Sequence, residues 1–173
     1  VVNYYIKDEQ LRNNPKNIFK GLRPYDWQYH IYDRNRPETH AIIKSFRKLL
    51  NSYRDRMSVG EVYQEPPGTA ELPAAYYGDN NDQLHLAFNF AFLYCKWNAE
   101  SFMKSILESE ECHKGMHWPN YTLSNHDQPR HYYRYRKRNE SVQRAKIAAM
   151  LLLTLRGTPF LYYGEEIGMT CER

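Results

Sequence analysis

From Leu84 to Phe92 an apolar side chain falls on every second residue, as Leu84, Leu86, Phe88, Phe90 and Phe92. A repeat of two belongs to a strand and cannot be laid on a helix. Helical patterns bracket this strand. Upstream, Pro37 suits a first helical turn, Glu38 sits by the positive end of the helix dipole, and Ile43, Phe46, Leu50 and Tyr53 recur at helical spacing, which predicts one buried face. Downstream, residues 98–111 predict a helix with Phe102, Ile106 and Leu107 turned inward, and residues 140–156 predict another.

Three shorter runs read as further strands. Arg56 to Tyr63 runs into a Pro-Pro-Gly loop, Tyr121 to Ser124 ends in a polar cluster, and Gly157-Thr-Pro precedes Phe160–Tyr163. Residues 1–36 are polar and aromatic, broken by Pro15 and Pro24, and predict a long loop with short helical pieces. The order is helix then strand, repeated, with long loops after the strands. That predicts an α/β fold with a parallel sheet, whose chemistry sits where each strand stops.

Composition narrows the function classes. The chain has 173 residues, enough for one core, and its 42% hydrophobic and 25% charged residues exclude a disordered segment. Sixteen tyrosines are a surplus that suits either a core or a sugar site, where a ring face covers C–H groups and the hydroxyl hydrogen-bonds. The longest strongly apolar run, Ala145 to Leu155, is too short to span a membrane. Five basic side chains between Arg130 and Arg138 read as a solvated loop, because no nucleic-acid reading motif accompanies them. Cys95, Cys112 and Cys171 form an odd set without metal spacing, which favours free thiols and a cytoplasmic setting. His113 and His117 stand four apart as zinc ligands on a helix might, but Gly115 lies between them and no third ligand is evident, so turn or surface roles are expected. No signal peptide is visible, although Val-Val-Asn does not read as a native start.

Two strand ends carry the chemistry. In Ser58-Val59-Gly60-Glu61 an acid emerges from an apolar strand, either bonded to a neighbouring amide or acting as a catalytic carboxyl. In Ser124-Asn125-His126-Asp127-Gln128-Pro129-Arg130 five polar side chains follow a strand, as a turn or as a site. Together they supply Glu61 and Asp127. Cleaving a glycosidic bond needs one carboxylic acid to protonate the leaving oxygen and negative charge beside an oxocarbenium-like sugar.

These residues resemble the α-amylase superfamily. Ser-Val-Gly-Glu at 58–61 is similar to its fifth-strand motif and Asn-His-Asp-Gln-Pro-Arg at 125–130 to its seventh. Gly157 to Met169 resembles the run through the eighth strand, and the nearest branch is that of oligo-1,6-glucosidases and α-glucosidases. The resemblance implies that residues 1–173 form the second half of a (β/α)8 barrel, with the other half and a C-terminal β-domain absent. It implies Glu61 as acid/base, Asp127 as transition-state stabiliser, and His126, Arg130 and Arg134 near the bound sugar. Glu165 and Glu166 would support the end of the barrel.

The same resemblance places a nucleophilic Asp in a Gly-Phe-Arg-x-Asp motif, which does not occur in this chain, and makes Val1 the residue after it. Val there leans toward α-1,6 bonds. The expected activity is therefore part of a retaining α-glucosidase acting on oligosaccharides, with the isolated segment inactive. A transglycosylase such as a sucrose isomerase uses the same apparatus. A non-catalytic ancillary subunit of a transporter has the same fold, but such relatives lose the catalytic pattern that is intact here. No metal or organic cofactor is expected, since the family's calcium is usually held outside this segment. Four consecutive barrel strands leave two open edges, so the segment is expected to pack on another copy or on the missing half.

Overall fold

The computed structural model describes residues 1–18, 21–65, 68–115 and 117–171. Pro66 and Pro67, where the first predicted strand was to run out, lie outside them. Helix α1 covers Pro37–Leu50, strand β1 Val59–Gly60, helix α2 Glu71–Ala75 and strand β2 Leu86–Ala87. Helix α3 (Ala99–Cys112), strand β3 (Asn120–Thr122), the short helix α4 (His131–Arg134), helix α5 (Ser141–Thr154) and strand β4 (Thr158–Phe160) follow. Single 3-10 turns occur at Val2–Tyr4, Pro24–Trp27 and Ala91–Tyr94.

Both strand pairs are parallel. Val59 faces Leu86 and Gly60 faces Ala87, while Asn120 to Thr122 faces Thr158 to Phe160. β4 starts two residues before the predicted Phe160 because Gly157 brings the backbone against β3. A Cβ on Gly157, whose φ is +147°, would lie 2.8 Å from the Pro119 carbonyl oxygen, which instead accepts the Thr158 N–H at 2.9 Å. The alternating run at 84–92 pairs as a strand only at Leu86–Ala87 and then tightens into the turn at Ala91–Tyr94.

A side chain bridges the gap between the two strand pairs. Asn120, fully buried, donates through Nδ2 to the Ala87 carbonyl at 2.6 Å and accepts the Asn89 N–H through Oδ1 at 3.2 Å. One amide thus joins the two strand pairs, satisfying buried backbone groups that no neighbouring strand reaches. Asn120→Ala strands both and is expected to cost about 2–3 kcal/mol by urea unfolding, whereas a loss under about 0.5 kcal/mol would make the bridge incidental.

Two apolar clusters sit under the strands. Val2, Ile43, Val62, Tyr76, Tyr77 and Leu86 pack beneath β1 and β2. Phe92, Phe102, Tyr121, Leu123, Tyr135 and Leu152 pack between β3, α3 and α5, with the Phe92 and Tyr121 rings stacked at 4.9 Å. Four of the sixteen tyrosines, Tyr76, Tyr77, Tyr121 and Tyr135, are core. Asn98 caps α3 by accepting the Ser101 N–H at 2.7 Å.

The helix faces are narrower than their periodicity predicted. Ile43 is buried, but Phe46 is half exposed and meets the edge of Tyr5, and Tyr53 falls beyond the end of α1. Leu107 is exposed, because α3 turns Phe102, Ser105 and Ser109 inward instead. Among the described residues no helix is long and apolar enough to cross a membrane, and the three cysteines are unpaired.

Candidate active site

Glu61 leaves β1 with its main chain held on both sides. Its carbonyl accepts the Val2 N–H at 2.8 Å. Two residues on, the buried Asn3 side chain donates to the Tyr63 carbonyl and accepts the Tyr63 N–H, both at 3.0 Å. A Cβ on Gly60 would lie 2.3 Å from Leu84 Cδ1, so a larger residue here would have to displace the buried Leu84 side chain. Val62 is buried, which turns Glu61 and Tyr63 to the other side, toward a cleft.

Asp127 reaches the same cleft from β3. Leu123 and Ser124 are buried, and Asn125 Oδ1 then accepts the N–H groups of Asp127 and Gln128 at 3.1 and 2.9 Å. This local turn lifts His126 and Asp127 into solvent, with His126 Nε2 3.5 Å from Asp127 Oδ1. The cleft, of about 250 Å³, is lined by Glu61, Asp127, Tyr63, Phe90, Tyr94 and Arg23 among others. Two carboxylates with three rings and the amides of Gln64, Asn125 and Gln128 can take a sugar ring, its hydroxyls and developing positive charge.

Arg23, Tyr63 and Tyr94 were not picked out from the sequence. Arg23 spans the cleft mouth to Glu65 at 2.7 Å, and Glu65 also accepts the Tyr63 hydroxyl at 3.3 Å. Burial pushes the Tyr94 hydroxyl above its usual pKa, helped by Tyr63, Asp127 and Glu65. The sequence offered one signal for Tyr63, which stands two residues past Glu61 on the same strand side.

His126, Arg130 and Arg134 lie outside the cleft lining. Arg130 is buried, donates to the Tyr163 carbonyl, and has its guanidinium 4.5 Å from both the Tyr162 and the Tyr163 ring centres. Arg134 donates to the Pro129 carbonyl at 2.7 Å and to that of Phe92 at 3.4 Å. Both tie the Asp127 loop to its neighbours. Beside them His131 Nδ1 meets Glu165 Oε1 at 2.8 Å, with both side chains buried, and Glu165 Oε2 accepts the Tyr162 N–H at 2.9 Å. Glu166 stays exposed.

His113 and His117 are taken up by packing. His113 is buried and donates through Nδ1 to the Ser109 carbonyl at 2.7 Å, His117 donates to the Gly78 carbonyl, and both rings lie against Tyr77.

The family model described as "Alpha amylase, catalytic domain" matches residues 1–173. A probable α-glucosidase of Rhizobium meliloti is 32% identical over 97% of this chain and 32% of its own length. An oligo-1,6-glucosidase of Halalkalibacterium halodurans is 32% identical over 80% of this chain and 26% of its own. Among solved structures, the α-glucosyl transfer enzyme XgtA superposes with a TM-score of 0.79 at 29% identity, covering 98% of this chain and 32% of that one. The chain thus spans about a third of the length of these relatives.

Proposed function

The chain belongs to the α-amylase catalytic-domain family, as the second half of its (β/α)8 barrel, and from this we propose that it is the acid/base-carrying part of a retaining α-glucosidase. The observation that carries the reading is the convergence of Glu61 and Asp127, from the ends of two parallel strands, on one aromatic-walled cleft. The Glu61 carboxyl gives its proton to the glycosidic oxygen as the bond breaks. The same group, now carboxylate, takes a proton from the water that releases the glucosyl unit. Asp127 supplies negative charge beside the oxocarbenium-like sugar and accepts from its hydroxyls, and His126 contacts the terminal glucose. Arg130 and Arg134 act on the sugar indirectly, by bracing the loop that carries Asp127.

The third carboxylate, a nucleophile, is not among these 173 residues, so the chain alone is proposed to release no glucose. Its open flanks are proposed to be covered by the rest of the barrel or by a second copy. Exposed Leu49 and Val59 mark one side and exposed Leu153, Leu161 and Ile167 the other. The substrate is an oligosaccharide with a preference for α-1,6 bonds, drawn from Val1 as the residue that follows the nucleophile. A second reading, glucosyl transfer to an acceptor sugar, is favoured by the likeness to XgtA. A cytoplasmic setting accords with the unpaired thiols.

The test uses the gene extended through the full barrel, assayed for glucose release from isomaltose and maltose. Release from isomaltose at several times the maltose rate supports the hydrolase and its linkage. Consumption of isomaltose with larger saccharides accumulating supports transfer. A folded product inert on both sugars would sink both readings.

A further inference from the structure

A second groove opens beside the cleft, with Tyr94 lining both. It holds about 610 Å³ between the turn after β2 and the loop around α4. Its walls carry the rings of Trp97, Tyr133 and Tyr135, and its basic side chains include Lys96, Arg136 and Arg144. No acidic residue is among those that line it. Arg144 is matched outside the groove by Glu140 at 3.1 Å. Lys96 and Arg136 are exposed and meet no carboxylate among the described residues, and the Arg136 guanidinium lies 3.7 Å from the centre of the Tyr133 ring.

Ring faces and unmatched cations select a definite ligand chemistry. Aromatic faces cover the C–H surface of a sugar, and a guanidinium held on a ring presents its N–H fork to a planar or tetrahedral anion. We propose that this groove is a second binding site, for a sugar bearing an anionic group, phosphate or carboxylate. Tyr133 and Trp97 would take the ring, and Arg136 and Lys96 the charge. The choice of a sugar rests on the α-glucosidase reading, because the groove shares Tyr94 with the proposed catalytic cleft; the anionic group rests on the groove alone.

The test titrates the protein with glucose 6-phosphate, glucuronate, glucose and inorganic phosphate, followed by Trp97 fluorescence against a Trp97→Phe control. One of the two anionic sugars is expected to bind about ten-fold tighter than glucose or phosphate, since hydrogen bonds to charged groups are the stronger class. The tighter of the two identifies the anionic group. Lys96→Ala/Arg136→Ala, at exposed positions that leave the fold intact, is expected to erase that advantage, and Tyr133→Ala to weaken every sugar. Added salt should weaken the anionic sugars alone. Equal binding of glucose 6-phosphate and glucose, or binding unchanged in the double variant, overturns the site. Phosphate binding as tightly as the sugar phosphate overturns its sugar half. Binding lost in Glu61→Gln would place the ligand in the catalytic cleft and overturn the site too. Failure of the complete barrel to cleave isomaltose would leave all of these readouts as they are, so the two readings fail separately.

Discussion

Glu61→Gln, made in the protein with the complete barrel, is expected to fold normally and to cleave isomaltose about a thousandfold more slowly, the middle of the range for loss of a general acid. The fold is spared because Glu61 is held through its backbone. Its carbonyl accepts from Val2, and the Asn3 side chain pins Tyr63 two residues on, none of which involves the carboxyl group. Glutamine keeps the shape and removes the proton. The loss should depend on the leaving group. A sugar alkoxide needs a proton as it departs, whereas a nitrophenolate is a stable anion and needs much less help. The variant should therefore retain far more activity toward nitrophenyl α-glucoside than toward isomaltose. If kcat/KM, which reports the step that expels the leaving group, fell equally for both substrates, Glu61 would be shaping the cleft and not passing a proton. If neither lost rate, the acid would lie elsewhere.

The residues on which that prediction rests were legible because they sit where a strand stops. A strand end is marked by the change from apolar to polar side chains, and Glu61 and Asp127 both follow such a change. The three long helices were legible for a similar reason. α3 and α5 each carry enough turns for a 3.6-residue repeat to show, and they fall within two residues of their predicted ends. α4 was hidden, since four residues hold a single turn and its basic side chains read as loop. Strand lengths were hidden too. The alternation at 84–92 records which side chains face inward, while hydrogen bonding depends on whether a neighbour is within reach, and on the edge of β2 away from β1 the group in reach of Ala87 is the Asn120 side chain. The cleft walls depend on partners distant in sequence. Arg23 and Glu65 meet across 42 positions, and Arg130 turns away to a carbonyl 33 residues downstream. A long basic side chain beside a catalytic loop has the same sequence signature whether it holds substrate or backbone.

Glu165→Ala is expected to cost roughly 2–3 kcal/mol of stability, because removing one partner of a buried hydrogen bond leaves the other buried and unmatched. Glu165 and His131 are both buried, 2.8 Å apart, and the glutamate also caps the Tyr162 N–H, so two groups lose a partner at once. Burial alone would raise the Glu165 pKa. Hydrogen bonds from His131 and Ser124 and the charge on His131 outweigh it, and the carboxyl titrates below its usual 4.5. The sign of the pH effect follows. A carboxylate that is more acidic folded than unfolded lends its full stability above pH 4.5 and loses it as pH falls through the lower folded value. Urea midpoints taken from pH 7 down to pH 3 should therefore fall more steeply for the parent chain than for Glu165→Ala, and the gap between them should narrow toward acid. Replacing both partners by apolar residues of similar volume is expected to recover most of the loss, since a filled apolar space can match a buried pair. A gap that stays constant with pH, or a double variant no better than the single one, would mean that Glu165 fills space beside β4 and that its charge does not hold the Asp127 loop in place.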